Sequence, residues 1–245
     1  MQDITNSIRE ALKEIERSHA VRVLYACESG SRGWGFESED SDYDVRFVYA
    51  HSRDWYLSVN ERRDVIELPP GKVLDINGWD LRKALRLLRK SNPTLLEWLQ
   101  SPIVYREDAR ALHALRSLAA RCYAPRTCLL HYLSMARRNY RDSLRGDQVW
   151  LKKYLYVLRP VLACRWIEAG RGQAPMQLGP MAEACISSPA LREAIDALLA
   201  QKRAGAELDR GLRIPAISEF LESEIARLDA LPMPLPADPP GEEEL

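Results

Sequence analysis

Ile8, Leu12 and Ile15 recur at spacings of four and three with charged residues between them. Thr5 or Asn6 stands where a cap would, so the spacing predicts an amphipathic helix over residues 5–18, lying on a sheet. Val21–Cys27 and Tyr43–Ala50 are short β-rich runs. Glu28-Ser-Gly-Ser-Arg-Gly-Trp-Gly and a polar Ser/Glu/Asp stretch separate them, which reads as strand, glycine turn, strand. Arg63–Leu68 and Lys72–Asn77 flank Pro69-Pro70-Gly71, a turn signal that predicts a hairpin. From Asp80 the spacing turns helical through Leu81, Ala84, Leu85, Leu87 and Leu88, and Pro93 breaks the run before Leu95, Leu96, Trp98 and Leu99. The chain then reads as helix-rich to about residue 229, with Pro160 interrupting the apolar stretch Tyr154–Ile167 and Gly170–Pro180 forming a loop. Pro232–Leu245 holds five prolines and Glu242-Glu-Glu, a composition that cannot bury a core and is expected to be disordered. No internal repeat is present. The expected architecture is α/β (α+β): a small mixed, twisted sheet with flanking helices over residues 1–104, a helical domain over 105–230, and a tail over 231–245.

Composition changes this picture little. With 245 residues and 46% hydrophobic positions, the chain can fill one large core or two small ones. Its 35 basic and 35 acidic residues cancel, which excludes a uniformly basic nucleic-acid coat. The distribution is uneven: residues 106–165 carry 13 basic against 4 acidic groups, while the flanking segments are net acidic. Arg137, Arg138, Arg141 and Arg145 recur at helical spacing within that segment, as on a solvated face, and the same charges would attract RNA phosphates. The five cysteines are widely spaced without a zinc-type pattern, and His19, His51, His113 and His131 form no metal spacing. Reduced thiols are expected. No apolar run reaches membrane-spanning length and no signal-peptide layout is present, so a cytoplasmic location is expected.

The chemistry concentrates in residues 28–47. Gly30-Ser31 follows a strand directly, where a glycine lets backbone approach a ligand and the next amides, if they open a helix, can bind phosphate oxygens. Asp42 and Asp44 come next, at i and i+2 of a strand, and so project together, about 7 Å apart. Two carboxylates facing one way repel each other unless a cation lies between them. Mg²⁺ is commonly bound by one or two carboxylates plus substrate phosphates, so a phosphate cradle beside such a pair is a metal–nucleotide site.

These residues resemble the DNA polymerase β-like nucleotidyltransferase superfamily, with its Gly-Ser turn, Asp-x-Asp strand and third carboxylate on a later strand. Glu28–Gly33, Ser41-Asp-Tyr-Asp-Val-Arg-Phe, Gly78-Trp-Asp-Leu-Arg-Lys-Ala-Leu, Lys90-Ser-Asn-Pro, Leu96-Glu-Trp-Leu-Gln-Ser-Pro-Ile-Val-Tyr and the segment from Lys152 to Ile167 are similar to one branch, the bacterial and phage RNA repair pathway or YcgL-like nucleotidyltransferases. The resemblance spans roughly residues 20–170. It implies nucleotidyl transfer from a nucleoside triphosphate with two Mg²⁺ ions, or Mn²⁺, held by Asp42 and Asp44, the phosphates by Gly30 and Ser31, and the nucleotide in a cleft between the two domains. For the third carboxylate Asp75 is chosen because it lies in the β-rich run Val73-Leu-Asp-Ile-Asn-Gly; Glu67 is the reserve, and Asp80, starting a helical pattern, reads as a cap.

Four cations have two readings each. Arg46 extends the Asp42/Asp44 face by one strand step and either pairs with a carboxylate or grips a phosphate, and Arg32 beside the Gly-Ser turn has the same choice. Lys152 and Lys153 precede an apolar helix and either reach the triphosphate or are solvated. Trp34 near the turn is a packing residue before it is a base-stacking one. An RNA 3′ end is the favoured acceptor, with a protein hydroxyl or a small molecule as the enzymatic alternative and a non-catalytic nucleotide- or RNA-binding module as the third. Oligomeric state is not legible in the sequence.

Overall fold

Helix α1 (Gln2–His19) lays Ile8, Leu12 and Ile15 onto a sheet, as their spacing predicts, and all three are buried. The computed structural model describes residues 2–69, 71, 73–205 and 209–231, the side chains of Gln2 and Asp3 apart. After α1 come β1 (Arg22–Glu28), the short helix α2 (Gly30–Trp34), β2 (Tyr43–Ala50), α3 (Arg53–Tyr56), β3 (Val65–Glu67) and β4 (Leu74–Asp80). Then follow α4 (Leu81–Arg89), α5 (Pro93–Trp98), β5 (Val104–Glu107) and α6 (Ala109–Cys122). The sheet order is β3-β4-β2-β1-β5, mixed because β2 and β4 are parallel while the other neighbours are antiparallel.

One face of the sheet packs on α1 through Val45, Phe47, Tyr49 and Ile76, where each buried large side chain contributes about 1.5–3 kcal/mol. On the other side Trp79 lies against Trp98 with ring centroids 3.9 Å apart, and the Tyr25 hydroxyl donates to the Trp98 carbonyl at 2.7 Å. Gly78 is glycine for packing: a Cβ there would stand 2.2 Å from the Phe47 ring. β3 and β4 form the expected hairpin pairing, Val65 opposite Trp79 and Glu67 opposite Asn77, while Pro70 and Lys72 of its turn lie outside the described residues. β5 is a strand within the stretch beyond Asp80 that reads as helix-rich. Its four residues are too few to show a period, and pairing with β1 makes it a strand.

Among the described residues, a second unit gathers Trp34–Asp40 with residues 124–231; the first comprises the residues up to Gly33 with Ser41–Tyr123. This division differs from the 104/105 sequence boundary by β5, which pairs with β1, and α6, which packs on α4 and β1. The second unit contains α7 (Pro125–Ser143), β6 (Gln148–Trp150), α8 (Leu151–Glu168), α9 (Leu178–Cys185), α10 (Pro189–Arg203), β7 (Arg210–Leu212) and α11 (Pro215–Ala230). β6 and β7 pair antiparallel as a small ribbon that helical spacing does not announce. Pro160 does not interrupt the apolar stretch: α8 runs through it, and Tyr154, Leu155, Val157, Leu158, Val161 and Leu162 are all fully buried. That burial outweighs the hydrogen bond a proline removes. The 170–180 loop is likewise shorter than its glycines suggest, because Gly179 and Pro180 sit in the first turn of α9, where a missing N–H costs nothing. The expected disordered tail from Pro232 lies outside the described residues.

Candidate active site

The turn between β1 and β2 is built around one side chain. Glu28 ends β1 fully buried, and its Oε1 accepts the Asp44 backbone N–H at 2.6 Å. The Ser29 N–H donates to the Asp44 carbonyl at 2.8 Å. Gly30, at φ +55°, lies so close to the Asp44 carboxylate that a Cβ there would stand 1.8 Å from Oδ2. Residues 28 and 29 therefore hold the amide and the carbonyl of Asp44, and Gly30 leaves room for its carboxylate. The glycine that sequence reasoning assigns to ligand approach is thus required first by Asp44 itself. Glu28 is secured from behind: its second carboxylate oxygen accepts the Tyr105 hydroxyl, and its carbonyl accepts the Ser101 Oγ at 2.6 Å. Burial pushes the Glu28 carboxyl up to about 7, against the Tyr105 hydroxyl and the Asp44 amide, which favour its charged form.

The parallel register of β2 and β4 sets Asp44 directly beside Asp75. Arg46 lies over both: its Nη2 is 2.9 Å from Asp44 Oδ1 and 2.7 Å from Asp75 Oδ2, while Nη1 donates to the Val45 and Asp75 carbonyls at 3.1 Å. The two carboxylates keep side-chain exposures of 27% and 42%, so neither side chain is fully enclosed. The Asp44 pKa is raised, most strongly by burial; Arg46 opposes the shift, and the charges of Asp75 and Asp42 add to it. Asp42 itself is exposed, just ahead of β2. Among the described residues no group of three or more His, Cys, Asp or Glu side chains is arranged to hold a metal ion. A carboxylate pair that shares a cation fits the Mg²⁺ pattern in which substrate phosphates and water complete the shell.

The remaining sequence candidates fall in varied places. Ser31 is buried within α2. Arg32 donates to the Ser41 carbonyl through Nε and Nη2 at 3.2 and 2.8 Å and stacks 3.9 Å from the Tyr43 ring, bracing the entry to β2. Glu67 pairs with Arg63 at 3.1 Å on the edge strand β3. Asp80 caps α4 by accepting the Arg82 N–H at 2.8 Å. Lys152 and Lys153 open α8 in the second unit, Lys152 over the Trp150 ring at 5.8 Å and Lys153 over Tyr156 at 4.8 Å. Trp34 packs with Phe36, Tyr156 and the buried Arg159, consistent with a packing role. Some charge of the basic segment is engaged internally: Arg106 on Glu16, Arg137 on Asp229, and Arg159 on the Met176 carbonyl. All five cysteines are free, and burial pushes the Cys27 thiol up to about 12, away from nucleophilic use. No described helix is long and apolar enough to cross a membrane.

Glu28 is the residue that sequence reasoning missed. Its signal was an acid closing an otherwise apolar strand two residues before the glycine turn, a place where a charge is out of keeping unless something binds it.

Residues 4–245 match the model of the RNA repair pathway DNA polymerase beta family. The chain is 50% identical over 221 residues to the uncharacterized protein YcgL of Bacillus subtilis (strain 168), covering 90% of this chain and 85% of that protein. A crystal structure of a nucleotidyltransferase-like protein from Exiguobacterium sibiricum 255-15 aligns over 90% of this chain and 78% of its own, at 15% identity and a TM-score of 0.35. A family match across nearly the whole chain, with half of 221 aligned positions identical in a relative, leaves one assignment: the chain belongs to the RNA repair pathway DNA polymerase beta family.

Proposed function

We propose that the protein is a Mg²⁺- or Mn²⁺-dependent nucleotidyltransferase that moves a nucleoside monophosphate from a nucleoside triphosphate to a hydroxyl, with an RNA 3′ end as acceptor. The observation that carries this reading is the pairing of Asp44 with Asp75 around one cation, immediately beside the Gly30-Ser31 turn. Asp42, Asp44 and Asp75 would hold the divalent ions. When bound, such ions activate the attacking hydroxyl and neutralise the charge on the triphosphate and its pyrophosphate leaving group. Gly30 and Ser31 are assigned to the β- and γ-phosphates. Arg46, already on the carboxylates, balances their charge and is released to a phosphate as the nucleotide enters, and Arg32 keeps Asp42 and Tyr43 in register behind the turn. Lys152 and Lys153 are further phosphate contacts in this reading. The RNA acceptor rests on the family and on the net positive charge of residues 106–165.

The engagement of Arg46 by both carboxylates also favours a second reading, a nucleotide- or RNA-binding module without turnover. Incubation with each α-³²P-labelled nucleoside triphosphate, Mg²⁺ or Mn²⁺, and total RNA or protein separates the readings. Label entering RNA in the wild type and not in Asp44→Asn is the expected result, with a loss of at least ~10²-fold. Label in protein would move the acceptor to a side-chain hydroxyl. Nucleotide binding without any transfer would favour the binding module.

A further inference from the structure

Glu28 is a buried acid that the proposed chemistry does not use. Its carboxylate accepts the Asp44 N–H at 2.6 Å on one side and the Tyr105 hydroxyl on the other, with no exposed surface. Tyr105 belongs to β5 and Asp44 to β2, strands that flank β1 on opposite sides, so Glu28 ties three strands together at the end of the sheet where the carboxylates lie. An acid is a costly way to fill such a position unless both its oxygens are needed as acceptors. Here they are: a backbone N–H on one side and a hydroxyl on the other both point at it, and an apolar residue would leave the Asp44 amide without this acceptor.

We infer that Glu28 is a positioning residue that fixes Asp44 for cation binding through the two-sided hydrogen bond, and that its charge is not what matters. The inference rests on the reading of Asp44 as a metal-holding residue. It distinguishes two conservative substitutions in opposite directions. Glu28→Gln keeps the length: its amide oxygen accepts the Asp44 N–H while its NH₂ donates to the Tyr105 oxygen, which reverses its role. Glu28→Asp keeps the charge but is one methylene too short to reach both partners. A residue acting through its negative charge would show the opposite pattern, tolerating Asp and not Gln.

The test is titration of the full-length protein with Mn²⁺ alone by calorimetry, beside the amide resonance and hydrogen-exchange protection of Asp44 by NMR. Glu28→Gln is expected within threefold of wild-type Mn²⁺ affinity with the Asp44 amide protected. Glu28→Asp is expected to lose ~10-fold or more, the usual effect of removing a group that orients a metal ligand, with that amide deprotected. Wild-type affinity in Glu28→Asp, or equal losses in the two variants, overturns the inference. Should Glu28→Asp not fold, Tyr105→Phe decides, since it removes only the rear hydrogen bond: a threefold or greater loss supports positioning, and unchanged affinity overturns it. Asp44→Asn is the separate control on the underlying reading. If it binds Mn²⁺ like wild type, the metal assignment fails and the inference falls with it; if it loses binding while Glu28→Asp does not, only the inference fails.

Discussion

The two ends of the β2–β4 strand pair carry acids that the fold treats in opposite ways. At one end Asp44 and Asp75 stand side by side, keep part of their side chains open to solvent, and share a single arginine. At the other, Asp80 is fully enclosed, with one oxygen accepting the Arg82 N–H and the other the Tyr56 hydroxyl, both at 2.8 Å. Asp80 has a donor on each oxygen supplied by the protein and no exposed surface, so it holds a helix onto a strand. Asp44 and Asp75 share one arginine while their side chains stay partly exposed, the condition the proposed cation-binding role requires. What separates the proposed metal-holding acids from the capping one in this sheet is therefore whether the fold closes over the side chain.

The sharpest way to break this contrast is Gly30→Ala. The new Cβ would collide with Asp44 Oδ2, and a positive φ adds about 1–2 kcal/mol for any residue with a side chain. Asp44 must then leave its position. Nucleotidyl transfer and Mn²⁺ affinity are expected to fall at least ~10²-fold while the melting free energy drops by only about 1–2 kcal/mol. A variant with wild-type transfer would show that the position of Asp44 is not critical. Asp80→Ala is the complementary experiment at the closed end. It removes a helix cap and leaves the Tyr56 hydroxyl and the Arg82 amide without their acceptor, for a loss of about 2–3 kcal/mol in denaturant unfolding. Transfer per folded molecule is expected to stay within threefold, and a large loss there would join the two ends into one functional unit.

The same contrast explains what was legible in the sequence. Helical spacing located α1, with its one buried face, and β-rich composition located β1 and β2, each to within a few residues. The adjacency of Asp44 and Asp75 was expected only from their strand context, and it depends on a parallel register no local pattern encodes. Asp80 was legible as a cap because capping is a local arrangement. β5, the β6–β7 ribbon and the passage of α8 through Pro160 were not legible, since each is decided by tertiary pairing or by burial on all sides. Glu28 was hidden for a related reason: its partners, Asp44 and Tyr105, lie 16 and 77 residues away.

The smallest expected effect also belongs to the closed end. His51 follows β2 and stacks on Trp55 with ring centroids 3.8 Å apart and planes within 9°, beside Tyr49. Burial lowers its pKa below the usual histidine value, with Arg62, His19 and Arg82 adding to the shift and Asp80 opposing it. In the unfolded chain His51 regains its ordinary pKa near 6.5 and binds a proton more readily than in the fold. The unfolded state therefore holds more protons in the window below that value, and stability falls as the pH drops through it. His51→Phe keeps a ring against Trp55 and removes the titration, so the fall in melting temperature between pH 7.5 and pH 5.5 is expected to be smaller in the variant than in the wild type, with His19 common to both. Equal pH dependence would show that the stacked imidazole takes up its proton without leaving Trp55. Mn²⁺ affinity at either pH should be unmoved by the substitution, because His51 and Asp44 stand at opposite ends of β2.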